Sequence, residues 1–213
     1  FAGSNIFFVI SVTHTLVANT LVILASTPFI AAVLTVCLKR TNLAFRTWVT
    51  IFFATSGIFV VFWGRFGDGN IFGDISALLC AFCMAAGLVT INLNPKINTT
   101  AAIGFGSFLT SIFALFMGAN LFATSTHDLL FLVLNGGIII PIALGLIVYG
   151  PKLISAPEVS LIMLLETVLG PFWVWLVLDE KLLLQTFIGG GFVVTAVLVN
   201  AWLGYRSRRI LIS

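Results

Sequence analysis

One carboxyl group stands apart among the side chains able to do chemistry. Glu166 lies near the middle of SAPEVSLIMLLETVLGPFWVWLVLDE, residues 155–180, with no other charged residue between Glu158 and Asp179. Ser155 and Glu158 have the spacing of a capping box, with Pro157 in the first turn. The run Ala156–Leu178 predicts a helix able to cross a hydrocarbon layer of about 30 Å at about 1.5 Å per residue, which puts Glu166 roughly 15 Å deep. A carboxyl group there is costly and calls for a polar cavity or a partner rather than lipid. Two roles fit: it binds a cationic group of a solute or carries a coupling proton, or it joins helices as a permanently buried, hydrogen-bonded group.

The remaining candidates are fewer in chemistry. Trp173, one heptad after Glu166, suits an aromatic wall for an amphipathic or cationic solute, or plain packing, and Trp175 reads as packing. Asn19 and Asn135 fall inside apolar spans and must find partners, either a solute or a neighbouring helix. Cys80 and Cys83 form a C-x-x-C, which in a loop suggests redox or metal chemistry. Inside an apolar helix they read as two small residues on one face. His14 reads as surface and His127 as loop. The sequence has no Walker motif, His-rich cluster or intramembrane Ser–His pair, so no enzyme activity, cofactor or metal is expected.

These residues must be positioned by membrane helices. Of 213 residues, 60% are hydrophobic and 8% charged, and the mean hydropathy is +1.19. A chain of this composition lacks the polar surface to cover a soluble domain. Long unbroken apolar runs exclude the alternation of a membrane β-barrel. The net charge of +3 comes from residues flanking spans, so it is no nucleic-acid footprint.

Taken in order, Phe1–Val12 is apolar but too short to span, at about 18 Å. A turn at Thr13–Thr15 follows, then spans at Val17–Leu38 with Pro28 inside, Thr47–Trp63, Ile71–Leu93 and Ala101–Leu121. Leu129–Tyr149 carries Pro141 and ends at Gly150-Pro151-Lys152. Ala156–Leu178 and Phe187–Gly204 complete the set. Pro28 and Pro141 predict kinks, either at moving joints or purely structural ones. With connections assigned to alternate sides, Lys39, Arg40, Arg46, Lys96, Lys152, Arg206, Arg208 and Arg209 share one side, against Arg65 and Lys181 on the other. The positive-inside rule makes the first side, and the C-terminus, cytoplasmic.

An internal repeat accompanies this layout. Shifted by 140 residues, LVILASTPFIAAVLTVCLKRTNL lies over LIMLLETVLGPFWVWLVLDEKLL, so that Leu24 matches Leu164, Thr27 matches Thr167, and Ser26 falls on Glu166. Lys39-Arg40 then corresponds to Asp179-Glu180 on the opposite side. Two similar units of opposite orientation are the layout of an inverted-repeat transporter, with its solute site near the midplane.

Leu165-Glu166, then Glu180, then Ile188-Gly189-Gly190 resembles the second half of an EamA domain. VANTLVILASTPFIAAVL, TWVTIFFATSGIFVV and GDISALL resemble the end of the first EamA repeat and the opening of the second. The resemblance covers essentially the whole chain, with departures at Arg40, where Glu is usual, and Val168, where Pro is common. It implies the drug/metabolite transporter superfamily, with ten helices as two inverted five-helix repeats. The expected fold is therefore an all-α polytopic membrane protein of about seven full spans plus a shortened first helix. By this resemblance the sequence starts within a third helix, and about two helices would precede it. The expected domains are residues 1–66 (end of the first repeat), 71–205 (second repeat) and a cytoplasmic tail, 206–213.

The expected function is secondary active transport, outward, of a small organic solute in a bacterial cytoplasmic (inner) membrane. Glu166, Trp173, Asn19, Asn135 and Ser26 are the expected solute-binding residues. The lipid bilayer, the solute and a coupling proton are the expected partners, with no nucleic acid. The alternative is a non-transporting membrane scaffold or assembly subunit, which would pack Glu166 dry against a partner.

Overall fold

The computed structural model describes residues 1–40, 43–61, 63, 70–118, 126–178 and 184–210, with side chains described except at 18, 61, 126–128, 170–178, 184–187 and 204–210. The described residues form helices joined by short turns and connections. In order come α1 (Ala2–His14), α2 (Val17–Leu24), α3 (Thr27–Lys39), α4 (Phe45–Val61), α5 (Ile71–Leu93) and α6 (Thr99–Phe116). They are followed by α7 (Thr126–Leu134), α8 (Ile140–Leu153), α9 (Ala156–Leu178) and α10 (Leu184–Ile210). By length and composition, four stretches suffice to cross a membrane: Asn19–Lys39, Ile71–Leu93, Thr99–Phe116 and Leu129–Leu153. The expected charged connections at Arg65 and Asp68, and at Asp179, Glu180 and Lys181, lie outside the described residues.

Local chemistry explains the helix ends. Asn70 Oδ1 accepts the Phe72 N–H at 3.0 Å and starts α5, and Asn98 Oδ1 accepts the Ala101 N–H at 3.1 Å and starts α6. Arg40, with φ of 51°, closes α3 in the left-handed region. The span expected at Val17–Leu38 is interrupted at Ala25–Ser26. Pro28 has no N–H to return to Leu24 O, and Thr27 Oγ1 donates there instead at 2.6 Å. Ser26 Oγ donates to Ile23 O at 2.6 Å and Thr55 Oγ1 to Ala25 O at 3.3 Å. Hydroxyl groups thus satisfy the carbonyls freed at the break, which lets it persist at membrane depth.

Three expectations need correction. Residues 126–128 form the first turn of α7, so His127 is helical rather than in a loop. Gly150-Pro151-Lys152 does not end the sixth segment, because α8 continues through Pro151 to Leu153. The Ser155 N–H that would prolong the ladder to Pro151 O goes to Glu158 Oε2 at 3.0 Å instead. Asn92 of α5 supplies the missing donor, its Nδ2 reaching Pro151 O at 2.6 Å and Ile154 O at 3.0 Å. The capping box is also only half formed, since Ser155 Oγ donates to Glu158 Oε2 at 2.8 Å rather than capping an N–H. Between α7 and α8, Asn135–Ile139 forms a π turn, with Pro141 following in the first turn of α8.

Asn92→Leu is expected to strand both of those carbonyls while removing its own unpaired Oδ1, a net loss of about 1–2 kcal/mol. Thermal unfolding in detergent checks this; an unchanged midpoint would show that the α5–α8 clamp contributes nothing.

α10 packs chiefly on α4, α1 on α5, and α3 on α5 and α9. Apolar side chains such as Phe105, Phe108, Leu130, Phe131 and Leu146 are exposed on α6, α7 and α8, as lipid contact requires. The two ends differ in chemistry. At one, His14 meets Phe72 edge-on at 5.3 Å and Thr15 Oγ1 donates to Asp74 Oδ1 at 2.8 Å. At the other lie Lys39, Arg40, Arg46, Lys96 and Lys152; Arg46 Nη1 donates to Leu203 O at 2.7 Å and Lys152 Nζ to Ile97 O at 3.4 Å.

Candidate functional site

At the middle depth of the bundle, α1, the α2–α3 break, α5 and α9 surround a cavity of about 440 Å³, within the range of small-ligand pockets. Helical spacing brings its walls together: Ser4 and Phe8 on α1, Cys80 and Met84 on α5, Ser160, Met163 and Thr167 on α9. Leu21, Leu24 and Thr27 face it from the broken segment. Glu166 lies about 15 Å from the start of α9 and Cys80 about 13 Å from the start of α5, so both sit near the middle of their helices. The Leu24/Leu164 and Thr27/Thr167 pairs of the sequence repeat all line this one cavity.

Most polar groups on the wall are already engaged. Ser4 Oγ donates to Phe1 O at 2.8 Å, and Ser160 Oγ lies 2.9 Å from Ala156 O and 3.1 Å from Pro157 O. Cys80 Sγ donates to Ser4 O at 3.1 Å, and Cys83 Sγ lies against Gly3, so both thiols face α1. Glu166 is exposed and, among the described residues, makes no hydrogen bond or ion pair. It is the one charged side chain among the described residues lining the cavity. Toward the basic end, buried Ala31, Ala85, Leu88, Val89, Ala156 and Val159 form an apolar cluster between α3, α5 and α9.

Of the five expected solute-binding residues, the structure brings Glu166 to this cavity. Ser26 is half-buried with its hydroxyl turned to Ile23 O; its neighbour Thr27, a third of a turn away, faces the cavity instead. Asn19 sits nearer the Asp74 end, its Nδ2 3.4 Å from Thr15 Oγ1 and its Oδ1 buried without a partner. Asn135 opens the π turn and is exposed on the outward helix. The Trp173 side chain lies outside the described residues. Sequence reasoning missed Asn5, Thr167, Met84 and Met163. The i, i+4 pairs Cys80/Met84 and Met163/Thr167 are legible as stripes, but nothing in wholly apolar helices marks a stripe as cavity-facing.

Residues 71–202 match the EamA-like transporter family. The chain belongs to that family. As an EamA-like protein it is an integral membrane protein of a transporter family. A crystal structure of another protein, 16% identical, superimposes over 96% of this chain and 74% of its own with a TM-score of 0.83, a likeness of fold. The search of curated proteins found no match.

Proposed function

We propose that this EamA-like protein is a secondary transporter that binds a small organic solute in the mid-depth cavity and exports it by alternating access. The observation that carries the proposal is Glu166, an uncommitted carboxyl group on the wall of a cavity at the middle of the bundle. A charge kept in the hydrocarbon region without a packed partner is costly unless function uses it. The opposed Leu24/Leu164 and Thr27/Thr167 pairs support two inverted repeats, residues 1–66 and 71–205, that rock about the site. The remaining long helices, α9 and α10 among them, complete the crossings. In the alternate state the apolar cluster around Ala31, Ala85 and Ala156 parts and opens the cavity toward the basic end. Proton and solute exchange on Glu166 couples the two movements. A scaffold role calls for a dry Glu166, whereas its exposure on the cavity wall supports transport.

Reconstitution in vesicles with a panel of small metabolites tests the proposal. Solute flux that depends on the protein is expected, and a panel without any such flux would remove it.

Orientation follows from the charge asymmetry. The basic end is placed on the cytoplasmic side of a bacterial inner membrane, with the C-terminus there too. A reporter fused after Ser213 is expected to be cytoplasmic and a tag near Asp128 external; both reporting the same compartment would break the span assignment.

A further inference from the structure

The polar groups around the cavity fall into two sets. Ser4, Thr27 and Ser160 give their hydroxyl protons to carbonyls of their own helices, so they offer a solute little more than a lone pair. Asn5, Glu166 and Thr167 make no side-chain hydrogen bond or ion pair among the described residues. Their chemistry is distinct. An ionised Glu166 accepts only, whereas Asn5 and Thr167 both donate and accept. No Lys, Arg or His is among the described residues that line the cavity.

Resting on the transport reading of this same cavity, we infer that its solute class is a compact apolar primary amine bearing a neutral hydrogen-bonding group beside the ammonium. An amino amide or amino alcohol is of this class. Asn5 reads the neutral group and thereby sets selectivity. The ammonium meets Glu166 through a charge-assisted hydrogen bond. The neutral substituent meets the Asn5 amide across the cavity, where a mismatched group leaves that amide unpaired and is rejected. The apolar body lies against Phe8, Met84 and Met163. Thioether side chains adapt to differing shapes, so the site reads polarity more strictly than outline. A carboxylate beside the ammonium is different: it adds a second negative charge to a cavity without a described cation to pair it. Zwitterions and anions therefore bind more weakly than the amines.

Four probes with one isobutyl body separate these features: leucinamide, 3-methylbutylamine, leucine and 4-methylpentanoate. Titration calorimetry uses the full chain in lipid nanodiscs at about pH 7, where the amines are mostly protonated. Leucinamide is expected to bind about tenfold more tightly than 3-methylbutylamine, and leucine and 4-methylpentanoate at least about tenfold more weakly than either amine. Asn5→Ala should bring leucinamide down to the affinity of 3-methylbutylamine without changing the latter, and Asn5→Ser should keep part of the preference. Leucine binding as tightly as leucinamide overturns the inference. So does an equal loss for both amines in Asn5→Ala, or no binding by any probe. The two proposals fail separately. Amine binding without flux in vesicles removes transport and leaves the binding class, whereas Glu166-dependent flux of a non-amine solute does the reverse.

Discussion

Glu166→Gln is expected to leave the protein inserted and folded, with transport either lost or no longer responsive to pH. Glutamine keeps the size of the side chain and one carbonyl oxygen, and removes its charge and its titration. Glu166 has no bond to a neighbour among the described residues, so the substitution strands no internal partner and thermal stability should hold. The expected functional loss is large because one group serves two ligands: proton and solute compete for the carboxyl group, and alternating access turns that competition into exchange. Losing a hydrogen bond to a charged group costs about 1.5–3 kcal/mol, roughly a 10- to 100-fold weaker solute affinity. Glu166→Leu should also fold, since no partner of Glu166 is found among the described residues, and should abolish solute binding outright. Flux from vesicles across a pH series, with unfolding midpoints from the same preparations, makes the comparison. Normal flux by the Gln variant at every pH would reduce Glu166 to a structural residue.

Gly57→Leu should do the opposite and cost the fold. A Cβ at Gly57 would lie 2.8 Å from Gly189 O, 2.9 Å from Val193 Cγ2 and 3.0 Å from Phe192 Cβ. The first of these is backbone and cannot turn aside, so α4 and α10 must separate. Their contact is built on such closeness, with Ile51, Ala54 and Ile58 buried together with Val193 and Val197. Overpacking of this kind costs about 1–3 kcal/mol, and a leucine side chain belongs at the upper end or beyond. Gly104 provides the control, since a Cβ there meets nothing within 4 Å. Gly104→Ala should unfold at or slightly above the parent temperature. If Gly57→Leu melts with Gly104→Ala, the α4–α10 contact is not the close one described.

Helix positions were legible in the sequence where composition changes sharply. Ile71–Leu93 and Ala156–Leu178 have the bounds expected from their apolar runs, because Asn70 begins one and Ser155 precedes the other. Boundaries that depend on a distant side chain were not legible. α8 passes its Gly-Pro pair because Asn92, some sixty residues earlier, satisfies the carbonyls that the proline region leaves open. The interruption at Ala25–Ser26 lies between the two cases. Pro28 predicted a kink, but the hydroxyl of Thr55 on another helix helps to satisfy it.

The same division runs through the site. Sequence alone determined that the chain is helical and membrane-embedded, because unbroken apolar runs without a barrel's alternation pair their backbone groups in lipid only as helices. It also determined the position of Glu166 about midway along its helix, since rise per residue converts position in a run directly into distance. Only the tertiary structure decided which helices enclose that carboxyl group and which polar neighbours remain free to meet a solute. In α9 apolar residues surround the whole circumference, so no amphipathic stripe reports its rotation. Thr27 faces the cavity and Ser26 does not, a difference of one residue in rotation about the helix axis. Whether a hydroxyl is free or already bonded to its own carbonyl depends on a side-chain rotamer that packing selects.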